Sequence, residues 1–261
     1  FVGELDSVQD EVDGIRLGIY TVKGKASQTA FAMQATKEIV RYFNDYFGER
    51  YTLPKLDQIA LPGGIGGAME NWGAIVYVES RLLLDPPESL LRLQQQIYGL
   101  IAHEVAHQWF GNLVTMAWWD NLWLNEAFAS WMAAKTSDKF HPQWRVERRR
   151  AGHVEYAMRE DARKTTHPVQ TPVEQDSRAM DVFDAITYTK GEAFVFMLED
   201  YLGENAFRDG VRRYMRAHRF SNTTTADLWH HLSEASGREA GAFAAQWTEQ
   251  PGFPLVRIAQ R

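Results

Sequence analysis

The sequence predicts an α+β protein in which a small mixed α/β lobe precedes a mostly helical one. Three observations carry this expectation. Over the first 80 or so residues, short β-rich runs interleave with one helical period. From about residue 85 the strand signal disappears, and apolar residues recur at three-to-four spacing almost to the end. Asp85-Pro86-Pro87-Glu88 and Pro251-Gly252-Phe253-Pro254 punctuate the two ends of that helical stretch. With 261 residues the chain can form one large domain or two small ones, and it can bury a core without disulfide or metal staples.

Taken in order, residues 14–22 alternate Ile15, Leu17 and Ile19 with Arg16, Gly18 and Tyr20, which predicts a strand with one buried face. Residues 28–47 place Phe31, Ala35, Ile39, Tyr42, Phe43 and Tyr46 on one helical stripe, with Gly48 as the stop. Residues 56–61 and 74–78 are β-rich and flank the loop Pro62-Gly63-Gly64-Ile65-Gly66-Gly67. A cap acceptor at Asp85, Pro at the first position and Glu88 at the third predict a helix of about 24 residues, with Gly111 beyond its last apolar residue. Further helices are expected at about 124–140, 143–163, 189–202, 205–218, 225–235 and 239–249. Residues 255–258 read as the start of a strand. The domain reading is therefore 1–254 as one unit, with lobes at about 1–84 and 85–250, and 255–261 as the beginning of a β domain otherwise absent.

Hydrophobic residues at 45% and charged residues at 24% are ordinary for a globular protein. The 28 basic against 34 acidic side chains give a net charge of −6, which excludes nucleic acid as the expected partner. No run approaches the ~18 apolar residues of a membrane span. Absence of cysteine excludes a disulfide framework, a thiolate metal site and a thiol nucleophile, so any metal must bind through His and carboxylates, while the compartment stays open. The chain opens at Phe1 with no basic segment leading into an apolar one, so a targeting segment is expected only outside this sequence, in a longer protein.

The chemistry centres on His103-Glu104-Val105-Ala106-His107. Four residues of helix advance ~6 Å and turn ~400°, which stacks the two imidazoles on one face where they can grip one metal ion. Glu104 lies ~100° round from His103, within reach of a water beside that ion, where a general base belongs. The same five residues also fit two surface histidines with an incidental Glu. Glu126, between Leu124-Asn125 and Ala127-Phe128-Ala129 on the next predicted helix, offers a third ligand, or else an exposed first-turn Glu favoured by the helix dipole. Two imidazoles and one carboxylate, with the fourth position left to water, is the pattern of a catalytic zinc; a structural site closes with four protein ligands.

These segments resemble the gluzincin aminopeptidases of the aminopeptidase N and leukotriene-hydrolase type. His103 to Phe110, Gly111-Asn112-Leu113-Val114-Thr115, Trp118-Trp119-Asp120 and Leu122-Trp123-Leu124-Asn125-Glu126 are similar to that family's zinc segment, and Gly67-Ala68-Met69-Glu70-Asn71 to its exopeptidase motif. Tyr188, in Ile186-Thr187-Tyr188-Thr189-Lys190-Gly191, matches its tyrosine that hydrogen-bonds the tetrahedral intermediate. The resemblance runs from about residue 1 to 251–254. It implies a thermolysin-like zinc peptidase fold, one zinc ion on His103, His107 and Glu126, and Glu104 as general base and then proton shuttle. It further implies Tyr188 as donor to the oxyanion and Glu70 as the anchor of the substrate's α-ammonium within a binding strand of Gly67, Ala68, Met69 and Asn71. The expected substrates are peptides with a free N-terminus. The family's N-terminal β domain and C-terminal helical domain are expected as missing parts of the full-length protein.

A carboxylate at Glu70 makes chemical sense, because it holds the cationic N-terminus at one register. The glycines before it allow a close backbone approach, much as an added strand makes, and no Gly-Lys-Ser/Thr follows that would make a phosphate loop. An endopeptidase or epoxide hydrolase stays open because a zinc centre alone does not fix the substrate, as does a non-catalytic peptide-binding scaffold of the same fold. Ala127, where many relatives have Gly, predicts only slight tightening of its helix. Trp109, Trp118, Trp119, Trp123 and Trp131 read as packing around the ligand helices. Arg145, Arg148, Arg149 and Arg150 share a helix with Glu147, Glu155, Glu160 and Asp161 and read as a solvated face. His141, His153, His167, His218, His230 and His231 read as surface or capping residues. Asp120, Asn121 and Ser130 are the candidate partners for the ligand histidines.

Overall fold

The computed structural model describes residues 3–63, 66–85 and 90–259. A hairpin of β1 (Leu5–Val12) and β2 (Ile15–Val22) comes first. Its turn residues Asp13 and Gly14 both have positive φ, 51° and 81°, the type I′ geometry that an Asp-Gly pair favours. The strand expected at 14–22 is β2. Its partner β1 was not expected, because this edge strand is mostly exposed and buries only Val12 fully, so no apolar alternation marks it.

Helix α1 (Ala30–Phe47) presents Ile39, Val40, Phe43 and Phe47 to the core and ends at Gly48, whose φ of 66° is the left-handed stop the sequence predicts. Strand β3 (Lys55–Leu61) runs parallel to β2, so α1 is the crossover between them. The two-residue β4 (Ala68–Met69) is antiparallel to β5 (Ala74–Val78), which is parallel to β3. The sheet order β1-β2-β3-β5-β4 leaves β4 as a free edge.

The helical lobe begins with α2 (Leu91–Ala106). It is shorter than the expected 24-residue helix, and three of the four residues of the cap at Asp85-Pro86-Pro87-Glu88 lie outside the described residues. At its other end the chain leaves the helix after Ala106 rather than near Gly111. His107 is the C-cap, with its N–H still on the His103 carbonyl, and the turn that follows folds back through Gly111 N–H to Val114 O.

Next come β6 (Val114–Met116), α3 (Trp123–Phe140), α4 (Val146–Asp161), α5 (Gly191–Leu202), α6 (Glu204–His218), β7 (Ser221–Thr223), α7 (Thr225–Ser236) and α8 (Ala240–Thr248). The short parallel pair β6–β7 contradicts the expectation that strands end with the first lobe; runs of three residues carry no readable period. Arg145, at φ 50°, separates α4 from a 3-10 turn at Pro142–Trp144, so that helix starts later than expected. Residues 255–258 form no strand: Leu255, Val256 and Ile258 are exposed, and no described strand pairs with them.

One apolar core joins both lobes, running from Ile19, Phe43 and Ile75 through Ile101 and Phe128 to Val195 and Leu228. Trp109, Trp123 and Trp131 sit fully inside it, as expected of packing residues, with each indole N–H donating to a protein acceptor: the Glu49 carbonyl, Thr225 Oγ1 and Glu199 Oε2. Trp118 does not; it is exposed at the rim and donates to the Val173 carbonyl. No described helix is long and apolar enough to cross a membrane.

Helices α6 and α7 are in close contact at Gly210, where an added Cβ would lie 2.8 Å from Leu232 Cδ2 and 2.9 Å from its Cα. Gly210→Ala should therefore cost about 1–3 kcal/mol. Gly152, on α4, has nothing within 4 Å of such a Cβ, and Gly152→Ala should stabilise by about 0.5–1 kcal/mol. Urea unfolding midpoints check the pair, and the reverse order would contradict the packing.

Candidate active site

The end of α2 and the start of α3 meet inside the core, and three side chains converge there. His103 Nε2 and His107 Nε2 lie 3.0 Å apart, and Glu126 Oε2 lies 3.3 Å from the first and 3.4 Å from the second. Metal bonds of 2.0–2.1 Å in a tetrahedron give donor–donor edges of about 3.3 Å, so the triangle has the dimensions of three zinc ligands. Glu126 is 4% exposed, not a solvent-facing helix residue, and its Oε2 is buried without a hydrogen bond. An orphaned oxygen facing two imidazole nitrogens is what a cation-binding site leaves when described from protein atoms, and the donor set can hold a divalent metal.

The imidazoles are oriented from behind. His107 Nδ1–H donates to the Phe110 carbonyl at 3.0 Å, which turns the Nε2 lone pair into the triangle. His103 Nδ1 faces Ser130 Oγ at 3.4 Å. Of the three candidate partners only Ser130 serves: Asn121 Oδ1 accepts from Thr225, and Asp120 Oδ1 accepts from Asn121.

The electrostatics are those of a site arranged around positive charge. Burial opposes a charge on His107, but Glu126 beside it lifts the imidazole to about 10. For Glu126, burial favours the neutral acid; His107 and His103 overcome this and hold the carboxyl well below the usual range. Glu104 is 5% exposed; burial pushes it up to about 7, with the two histidines pulling the other way, and its Oε2 has no partner.

Tyr188 lies on a π-helical turn, Ile186–Lys190, that runs directly into α5. Its ring stacks against His103 at 6.2 Å between centroids, and burial followed by the charge of Glu126 raises its pKa well above 10, so the phenol keeps its proton. Both ends of this turn are tied. The Asp184 carboxylate accepts the N–H groups of Ile186 (2.9 Å) and Thr187 (3.2 Å) and contacts His167 Nε2 at 2.8 Å. Lys190 pairs with buried Asp161 at 2.8 Å. Gly191 rests on Ala127, where an added Cβ would meet the Ala127 methyl at 2.6 Å. Ala127 is thus accommodated against a glycine, and α3 continues regularly past it.

Glu70 follows β4 and is held through its backbone. Its carbonyl accepts from Gln108 Nε2 (3.1 Å) and Asn112 Nδ2 (2.8 Å), and Gln108 Oε1 accepts the Gly73 N–H (3.1 Å). The charge of Glu70 is felt at Glu104, His107 and Tyr188, raising the pKa of each. Gly67 takes a φ of 96°, Met69 and Asn71 are exposed, and Gly64 and Ile65 of the glycine loop lie outside the described residues.

A cleft of about 630 Å³ opens beside the triangle. Its lining includes Gly66, Gly67 and Ala68, the site residues His103, Glu104 and Tyr188, and Arg149, Arg150 and His153 of α4. Arg149, expected on a solvated face, and His153, expected at the surface, are exposed as read, and with half-buried Arg150 they also border the cleft. His167 is not a bare surface residue but the partner of Asp184. Gln108, Asn112 and Asp184 had no role in the sequence reading; nothing in their spacing says which distant backbone groups they hold.

The chain matches the model of the peptidase family M1 domain over residues 31–247. It is 40% identical over 98% of its length to a probable aminopeptidase 1 of Sulfurisphaera tokodaii, covering 33% of that protein. It is 40% identical over 98% of its length to aminopeptidase M1 of Arabidopsis thaliana, covering 29% of it, and 38% identical over 99% to the mitochondrial aminopeptidase 2 of Saccharomyces cerevisiae, covering 27%. The chain thus spans about a third or less of the length of these relatives.

The tie between His167 and Asp184 has a pH signature. Asp184 raises the His167 pKa against the opposing effect of burial. A histidine raised on folding contributes stability that is fully present below its unfolded value, about 6.5, and is lost as pH rises through the folded value. The urea-stability difference between the native chain and His167→Gln should therefore be larger at about pH 6 than at about pH 9. A difference that stays constant across that range would contradict the pairing.

Proposed function

The chain belongs to peptidase family M1, and we propose that it is the catalytic domain of a zinc-dependent aminopeptidase that removes N-terminal residues from peptides. The observation that carries this reading is the buried triangle of His103, His107 and Glu126 with Glu104 and Tyr188 beside it and Glu70 clamped to the same segment. His103 and His107 through Nε2, and Glu126 through Oε2, would hold one zinc ion. When bound, the ion polarises a carbonyl and lowers the pKa of a water to about 7.

The chain's own residues supply the remaining steps. Glu70 fixes the α-ammonium of the substrate, so that only the first peptide bond reaches the centre. The free edge of β4 offers its backbone to the substrate as a further strand. Glu104, poised near neutrality by burial, takes the proton of the attacking water and returns it to the departing amine. Tyr188, kept protonated, donates to the oxygen on which negative charge develops. Residues 1–254 are read as this catalytic domain, with 255–261 leading into a β domain. Further N- and C-terminal domains complete the full-length protein, in keeping with the greater length of the relatives.

A peptide with a free N-terminus should be hydrolysed and its N-acetylated form spared; equal rates would overturn the amine anchor. Glu104→Gln should lose roughly 10²–10⁴-fold in kcat while retaining zinc. Glu70→Gln should lower kcat/KM roughly 10–100-fold. Full activity in Glu104→Gln would remove the general-base assignment.

A further inference from the structure

The cleft beside the metal triangle has a basic wall. Glu70 is not part of its lining, whereas His103, Glu104 and Tyr188 are. If the N-terminus is held at Glu70 and the first peptide bond lies at the triangle, the rest of the peptide has this cleft to run into. That step rests on the function proposed above. In that cleft the peptide would share the space with Gly66, Gly67 and Ala68 and with residues of α4.

Arg149 and His153 stand on one face of α4, at i and i+4, Arg150 lies ~100° round from Arg149, and these three and Arg81 line the cleft. Among the described residues none of the three arginines forms an ion pair or donates a hydrogen bond to protein. The Arg150 guanidinium lies 3.8 Å over the Phe196 ring, which fixes its plane while leaving its N–H groups free. Arg149 is exposed and Arg150 half-buried. Glu192 is the acid that faces this wall, and burial pushes it up to about 7, with Arg150 opposing. Positive charge is therefore in surplus on the wall away from the triangle.

The arginines also sit where a helix disfavours them. Arg148, Arg149 and Arg150 occupy the start of α4, whose N-terminal end already carries partial positive charge. Glu147 is the one acid of that first turn, and the Arg148 N–H is taken by the Arg145 carbonyl, so what α4 offers an anion is its guanidinium forks.

We propose that this wall binds a carboxylate of the peptide downstream of the scissile bond, so that the chain prefers peptides with negative charge two or more residues from the N-terminus. The carboxylate is that of an acidic side chain or of the peptide's own C-terminus.

Calorimetric titration of the zinc-loaded Glu104→Gln chain, which reads binding without turnover, tests this. The three probes are Ala-Ala-Glu-amide, Ala-Ala-Ala with a free carboxylate, and neutral Ala-Ala-Gln-amide. At low ionic strength at least one anionic peptide should bind roughly 5–10-fold more tightly than the neutral one, and the one that does identifies the source of the charge. The ratio should fall to about one when Arg149→Gln and Arg150→Gln are added, and Lys at both positions should restore part of it. Urea midpoints establish that the variants fold. Equal affinities for all three peptides, no binding of any, or a preference that survives loss of both arginines would each overturn the proposal. Release of an N-terminal residue by the unsubstituted chain is read separately: a lost preference with normal release removes only the anionic subsite, and absent release with the preference intact removes only the proposed activity.

Discussion

A carboxylate buried between two imidazoles is the constraint on which the rest of this structure depends. Taking the charge of Glu126 out of water is costly by several kcal/mol unless a cation lies against it, and the fold is arranged to put one there. With protons, the cation is imidazolium, which is why His107 is lifted to about 10 and Glu126 held low. With a divalent ion, the same three atoms become ligands at tetrahedral spacing. The packing of α2 on α3 and the three buried tryptophans hold those helix ends at that separation.

The segment from His103 to Asn112 concentrates the consequences. It carries two corners of the triangle, Glu104, and the two amides, Gln108 and Asn112, that grip the Glu70 carbonyl. The backbone of Glu70 is thus tied directly to the ten residues that carry two corners of the triangle. Tyr188 reaches the same place from the far side on a π turn whose carboxylate tie at Asp184 and ion pair at Lys190 take up the backbone irregularity.

Much of this was legible in the residues because the relevant signals are local. The i, i+4 histidines, the stripe of α1 with its Gly48 stop, and the long apolar periods of α3, α6 and α7 are each written within one element. The strands that escaped notice are those with little to bury or too few residues to show a period: β1 on an exposed edge, β4 with two residues, and the three-residue pair β6–β7. Tyr188 could be singled out among ten tyrosines only through the family resemblance, since a π turn leaves no spacing signature. The ties of Asp184 to His167 and of Gln108 to Glu70 join segments far apart in sequence. The mixed charges of α4 did mark a solvated face, since Arg145, Arg148 and Arg149 are exposed; that Arg149 and Arg150 also line the cleft depends on what α4 packs against and has no signal in the spacing.

The most direct test of the central claim is the zinc content of the purified, folded chain, measured by elemental analysis alongside release of a reporter from an amino-acid amide, with and without a chelator. The account predicts one zinc per chain, lost together with release when the chelator is added and regained together when zinc is returned. A folded chain that binds no zinc, or release that persists after the metal has been stripped, would contradict it.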